Sequence, residues 1–228
     1  MRTLWPVLLL LTGCAAVAQP PARYDLGPAA RGPSAALALA AISVRSPSWL
    51  STPAMQYRLD YASGARRRAY GDSRWAAAPA ELVALTLERR LLTDGPTAAG
   101  CRLALDLDEF VQDFDGPASS RATLEARATL LALRGDGPVA RQGFSLRQRA
   151  GADATSGVAA FAVATARLGS ELAAWLDRIA LERPDIALRC REPMALSQPP
   201  LAFEPLANIP TDKIENPRAP AESVVAIE

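Results

Sequence analysis

The spacing of apolar residues changes along the chain, and this change constrains the fold more than any other feature of the sequence. Apolar residues alternate with polar ones at positions 55–61, 103–107 and 124–130, which is the period of a half-buried strand. At positions 82–92 and 158–179 they recur at every third or fourth residue, which is the period of an amphipathic helix. Strands followed by a helix, twice over, predict an α+β fold: a mostly antiparallel sheet with two helices packed on one face.

Local signals place the ends of these elements. Pro79 suits the first turn of the first helix, and the second helix is predicted to run from about Thr155 to Leu181. Gly64 supplies a turn between two strands. Phe110 breaks the alternation that precedes it, which indicates a β-bulge or a bend.

The N-terminus carries an apolar run that ends in a cysteine. Arg2 precedes apolar residues at positions 4–11, a run much shorter than the roughly 20 residues that span a bilayer. The run therefore indicates an export signal. Its end, Leu-Thr-Gly-Cys at positions 11–14, resembles the bacterial lipobox, in which the cysteine receives a diacylglyceryl group and an acyl chain such as palmitate, and the chain is cut before it. The alternative is a plain signal peptide cut after Ala18, which would discard Cys14.

The predicted segments follow from this site. Residues 1–13 form a lipoprotein signal peptide, residues 14–22 a tether and residues 23–191 one globular domain, while the Pro-rich residues 192–228 form an extended or disordered tail. Ala15, rather than an aspartate, follows the cysteine, which favours the periplasmic face of the outer membrane over the inner membrane.

Two further cysteines, Cys101 and Cys190, lie within the predicted domain. An exported domain folds in an oxidising compartment, so we predict a disulfide between them. The alternative is two separate buried thiols, because cysteine also packs well as a small apolar residue.

The composition argues against several classes of function. The formal net charge is +1, and the chain contains no histidine and one lysine, Lys213. A nucleic-acid-binding surface, a Ser-His or Cys-His nucleophile and a metal site are not indicated, and we expect no cofactor beyond the lipid on Cys14. Asp106, Asp108 and Glu109 are the only candidates for acid–base catalysis, as in an envelope hydrolase, and a solvated strand face explains them better.

Four residues are candidates for binding a partner. Trp49 and Leu50 lie in a Pro-flanked loop, where a large aromatic residue marks an interface or else folds over the edge of the core. Arg74 and Trp75 precede the first helix. They form either a docking edge or a structural corner, in which Arg74 stacks on Trp75 or pairs with an acid at positions 106–109.

The order of several short motifs resembles a known family. The motifs are residues 42–50 (Ile-Ser-Val to Pro-Ser-Trp-Leu), 55–58 (Met-Gln-Tyr-Arg), 70–75 (Tyr-Gly-Asp-Ser-Arg-Trp) and the acidic-aromatic stretch 106–114. Together with the lipobox they resemble the ABC-type transport auxiliary lipoproteins, which include the PqiC-like lipoproteins. The resemblance covers roughly positions 24–179.

The resemblance implies a non-catalytic subunit that is anchored by lipid. Members of this family accompany ABC transporters whose periplasmic component carries an MCE domain, and these systems are thought to move lipids or other hydrophobic molecules between the two membranes. The chain is then expected to bridge or dock that component at the outer membrane and to support envelope integrity, with the permease and ATPase on other chains. A homo-oligomer and direct contact with lipid cargo are compatible with this role. The alternatives are a structural assembly lipoprotein of another outer-membrane complex and, less favoured, an envelope hydrolase.

Overall fold

The computed structural model describes residues 19–28, 30–32, 35–92, 100–132 and 137–191. Cys14, the predicted signal peptide, most of the tether and the tail lie outside these ranges. The described residues form one sheet of seven strands and four helices. The strands are β1 (Ala22–Tyr24), β2 (Leu39–Arg45), β3 (Ala54–Leu59), β4 (Gly64–Trp75), β5 (Cys101–Gly116), β6 (Ser119–Leu131) and β7 (Pro138–Ala150). The helices are α1 (Asp60–Ser63), α2 (Pro79–Leu91), α3 (Ala154–Glu182) and α4 (Pro184–Arg191).

The sheet has the strand order β1-β4-β3-β5-β6-β7, and β2 also pairs with β5. β6 pairs with one edge of β5 along most of its length, whereas β2 and β3 share the other edge. The prediction of a mostly antiparallel sheet is wrong, because β1 is parallel to β4, and both β2 and β3 are parallel to β5. Alternation of apolar residues shows which side chains are buried but not which strand is the neighbour. For the parallel pairs that β5 makes with β2 and β3, the connection includes β4 and α2.

Helices α2 and α3 contact each other and bury one face of the sheet. α2 packs against β2, and α3 packs against β6 and β7. This helix-covered face carries Leu103, Leu105 and Leu124, each at most 1 % exposed. The opposite face, which we call the open face, carries Asp106 and Arg127, which are exposed. The two long helices have nearly the predicted bounds, whereas α1 and α4 were not predicted.

Three aromatic side chains form the centre of the core. The rings of Phe110 and Phe161 stack with centroids 4.0 Å apart, and Trp75 meets both edge-on at 5.5 and 5.6 Å. Trp75 is 2 % exposed. Burial of each such side chain stabilises the fold by about 1.5–3 kcal/mol, so this contact between β4, β5 and α3 contributes strongly to holding the layers together.

A buried amide joins β5 to the start of α3. Gln112 Nε2 donates to Ser120 Oγ at 2.8 Å and to the carbonyls of Gly151 and Asp153, both at 3.2 Å, while Gln112 Oε1 accepts from the Tyr70 hydroxyl at 3.0 Å. Burial raises the pKa of Tyr70, so its hydroxyl keeps the proton that it donates. Gly157 on α3 lies against this amide, because a Cβ there would be 2.1 Å from Gln112 Oε1.

A disulfide joins Cys101 at the start of β5 to Cys190 on α4, with the two Cα atoms 4.8 Å apart. The residue before it, Gly100, has φ of +129°, and a Cβ there would lie 2.7 Å from the nitrogen of Ala40. Only glycine fits this junction between β2 and β5. No helix among the described residues is both long enough and apolar enough to cross a bilayer.

Candidate interaction surface

The β-bulge predicted from the break in alternation at Phe110 is present, and it changes the direction of two acidic side chains. The register between β5 and β6 shifts between Leu107 and Glu109, so that Asp108 is the inserted residue. Asp108 pairs with Arg127 on β6, at 2.7 and 2.8 Å. Glu109 points instead towards β3 and β4, on the other side of β5.

Beside this bulge, one edge of β5 has a gap between the segments that pair with its two parallel neighbours, β2 and β3. The pairing with β2 ends at Arg45 and Asp106, and the pairing with β3 begins at Tyr57 and Gln112. The connection between β2 and β3 contains a 3-10 turn at Ser48–Leu50. The turn therefore lies where no described strand pairs with this edge of β5.

A compact polar cluster, the Trp49 corner, fills this region and consists of Trp49, Gln56, Arg58, Arg67 and Glu109. Arg67 Nη2 donates to both Glu109 oxygens at 2.8 and 2.6 Å, and Arg58 also pairs with Glu109. Arg67 Nη1 donates to Gln56 Oε1 at 3.0 Å, and the Arg67 guanidinium lies 5.8 Å from the centroid of the Trp49 ring. Gln56 also donates to the Trp49 carbonyl, so both the ring and the backbone of the turn are held in place.

One carboxyl beside the Trp49 corner, that of Asp113, lies farther from its arginine than the carboxyl of Glu109 does. Asp113 is 8 % exposed, and its Oδ1 lies 3.8 Å from Arg58 Nη1. Burial raises the pKa of Asp113 above its usual value, although the nearby Thr123 and Arg58 oppose that shift. Arg58 thus faces two carboxylates and pairs closely with only one of them.

Beyond the Trp49 corner, the open face forms a broad polar surface around Arg127. One depression has a volume of about 470 Å³ and is lined by residues of β5, β6 and β7, among them Asp106, Arg127 and Arg141. Two neighbouring depressions also include Arg127. Gly143 opposite Arg127 leaves space above the sheet, because it has no side chain and nothing lies within 4 Å of its Cβ position.

Two of the candidate acids on this surface are engaged by arginines. Asp108 pairs with Arg127, and Glu109 pairs with Arg58 and Arg67. The described residues also contain no group of three side chains that could hold a metal ion.

The four residues predicted to bind a partner differ in how exposed they are. Trp49 is 52 % exposed and lies in the Trp49 corner, whereas Leu50 is 1 % exposed and belongs to the core. Trp75 is also a core residue, and Arg74 lies exposed on β4. Leu50 and Trp75 therefore contribute their apolar surface to the core and present little of it to solvent. Of the acids at positions 106–109, Asp108 pairs with Arg127, and Glu109 pairs with Arg58 and Arg67 rather than with Arg74.

The arginines of this surface were not predicted from the sequence. Arg58 and Arg67 meet Glu109 because β3 lies between β4 and β5 in the sheet, and no local pattern reveals that order. Arg141, Arg147 and Arg149 on β7 were also missed. Their odd-numbered positions in a strand of alternating character are a signal that places them on one face.

Comparison with known proteins identifies a family and a related fold. A family model described as ABC-type transport auxiliary lipoprotein component matches residues 24–173. The fold resembles the crystal structure of a Xanthomonas campestris protein of the family DUF330, with a TM-score of 0.58 and 20 % identity over 73 % of this chain and 97 % of that one. The structure of an uncharacterized protein gives a TM-score of 0.48 and 15 % identity over 71 % of this chain and 99 % of that one. No curated protein matches the chain.

Proposed function

Because the chain belongs to the ABC-type transport auxiliary lipoprotein family, we propose that it docks the periplasmic, MCE-domain component of an ABC transporter at the outer membrane. In this role it is a non-catalytic subunit, anchored by lipid on Cys14, and it supports transport of lipids or other hydrophobic molecules across the envelope. The family match over most of the domain is the observation that carries the proposal. The exposed, charged open face supports it, because such a surface suits recognition of a protein partner.

The anchor would act by position. Two or three acyl chains hold a protein at a bilayer almost permanently, whereas one chain binds only marginally. Seven residues lie between Cys14 and the start of β1 at Ala22, so an extended chain would separate these two residues by at most about 28 Å. The domain would therefore stay in a thin layer near the membrane, where its effective concentration for a partner in the same layer is high.

Co-purification from cells tests the proposal. The full chain should be cross-linked in cells and purified together with an MCE-domain protein, and Cys14→Ala should remove it from the outer-membrane fraction and abolish its envelope phenotype. As a control, the triple variant Asp106→Asn, Asp108→Asn and Glu109→Gln removes the candidate catalytic charges and should keep the membrane location. Loss of phenotype in this variant, with normal folding and undiminished cross-linking to the MCE-domain protein, would favour a hydrolase. Cross-links only to another outer-membrane complex would favour an assembly role.

A further inference from the structure

We propose that the outer edge of β7 binds an extended segment of a partner protein in which acidic residues alternate with apolar ones. The partner segment would join the sheet as one more strand. The inference rests on the proposed function for its setting, since it names the surface on which the periplasmic partner would dock.

β7 is a long strand with one unpaired edge. It pairs with β6 from Ala140 to Ala150 without a break in register, and it stands at the end of the strand order. No strand within the described ranges pairs with its other side. Such an edge presents a row of backbone donors and acceptors to which another strand can add.

The side chains of β7 determine which strand fits on the open face. Arg141, Arg147 and Arg149 project there and are exposed, and β7 contains no acidic residue. None of the three has an ion pair with the carboxylates that the structure describes; the nearest acidic side chain of β6, Glu125, accepts a hydrogen bond from Ser145 at 3.4 Å. Opposite charges on neighbouring strands stabilise a pair, so the added strand should carry acids at alternate positions.

The other face of the same edge is apolar. A depression of about 360 Å³ lies between the end of β7 and α3, and its lining includes Ala150, Ala159 and Val163. Val163 is 46 % exposed. An added strand would place its remaining side chains on this surface of α3, so they should be apolar.

The same charges disfavour a second copy of this chain as the occupant. An antiparallel pair of β7 strands centred on Phe144 would place Arg141 of one copy opposite Arg147 of the other. Like charges directly opposite each other destabilise a strand pair.

The strand order also places this edge away from the proposed anchor. β1, which follows the tether, and β7 are at opposite ends of the order β1-β4-β3-β5-β6-β7. Five strand spacings separate them, which is about 24 Å. An anchor before β1 would therefore leave the β7 edge at the far side of the sheet.

Peptide binding to the full chain tests the inference. The probe is a peptide about ten residues long in which glutamates alternate with valines and threonines. We expect it to bind and to protect the outward-facing amides of β7 from hydrogen exchange. The triple variant Arg141→Glu, Arg147→Glu and Arg149→Glu should weaken binding at least about tenfold. That variant should instead bind the same peptide with lysines in place of glutamates, which also shows that it is folded.

A matched variant separates a local effect from one of net charge. Arg23→Glu, Arg66→Glu and Arg178→Glu change three exposed arginines elsewhere and should leave the affinity within about twofold. Equal weakening by both triple variants, or protection away from β7, would overturn the inference. Three other results would also overturn the inference. The first is that amides of β7 become exposed to hydrogen exchange when residues 192–228 are removed, and the second is that protection rises with protein concentration. The third is that binding to phosphatidylglycerol vesicles depends more on these arginines than peptide binding does.

The two proposals fail in different ways. If the MCE-domain protein cross-links at the Trp49 corner and the peptide does not bind, the proposed function holds and the β7 inference is wrong. If the peptide binds at β7 but no transporter component co-purifies, the strand site stands and the proposed function is wrong.

Discussion

Gln112 and Arg127 lie on neighbouring strands of the same sheet, on opposite faces, and their polar groups are used differently. Gln112 is 1 % exposed, and its amide makes four hydrogen bonds that join β4, β5, β6 and α3. The Arg127 side chain is 66 % exposed and pairs with Asp108 alone. Buried polar groups must be satisfied and therefore fix one arrangement, whereas exposed ones contribute little to stability and remain available to a partner.

The comparison predicts that substitutions on the helix-covered face cost the most stability. Phe110→Ala should lower the free energy of unfolding by about 3–5 kcal/mol, because it removes the ring that stacks on Phe161 and leaves a cavity. Urea unfolding of the purified chain measures this. A loss no greater than that of Arg127→Ala would break the comparison.

The disulfide comes next in expected effect. Replacing both Cys101 and Cys190 by alanine should cost about 2–4 kcal/mol in the free energy of unfolding. A reducing agent should lower the urea midpoint of the wild-type chain towards that of the double variant and leave the variant unchanged. A midpoint of the variant that still responds to reductant would contradict this.

Gly157→Ala tests the fit between α3 and the buried amide. The added Cβ would lie 2.1 Å from Gln112 Oε1, so we expect a loss of about 1–3 kcal/mol. In a double-mutant cycle, adding Gln112→Ala should make the alanine at position 157 less costly, since the clashing atom is gone. Additive losses would show that the amide is not what excludes a side chain there.

Asp113 is an exception to the contrast between the two faces, because it is buried although it lies on the open face. Burial raises its pKa in the folded chain, so the stability that its protonated form contributes is present below the ordinary pKa of 3.8 and is lost as pH rises through the raised value. Asp113→Asn should flatten the fall of the urea midpoint that accompanies a rise in pH above 3.8. An unchanged pH profile would mean that this carboxyl is well compensated when charged.

Arg127→Ala should have the smallest effect on stability. Its pair with Asp108 is exposed, so the urea midpoint should stay within the error of measurement. We expect the effect in binding instead, as weaker cross-linking to a partner in cells. A clear drop in the urea midpoint would mean that polar groups of the open face also contribute to stability, and the distinction between the two faces would then be lost.

The two faces also differ in how far the sequence predicts them. The bulge near Phe110, the start of α2 at Pro79 and nearly the whole of α3 follow from local periodicity. The parallel pairing of β2 and β3 with β5 does not, since it depends on contacts between distant segments. Tyr61 fits the alternation of β3 but lies on α1 and is 51 % exposed, because the strand ends at Leu59.

The candidate surface was only partly predictable for the same reason. Trp49 stands out as an aromatic residue in a loop, but its partner Arg67 is identified only by the fold. Leu50 and Trp75 have neighbours that are exposed, and the sequence does not show that they themselves turn inward. The local pattern thus singled out these residues without separating those that pack in the core from those that remain exposed.

The disulfide has a mechanical consequence for the C-terminal segment. α4 ends one residue after Cys190, and the disulfide connects that point to the first residue of β5 across a sequence separation of 89. Tension applied to residues beyond Arg191 would pass through the sulfur bridge into the middle of the sheet and load the β5–β6 pairing in shear, instead of peeling α4 away. A partner that pulls on this end of the chain would therefore apply force to β5, the most extensively paired strand of the domain.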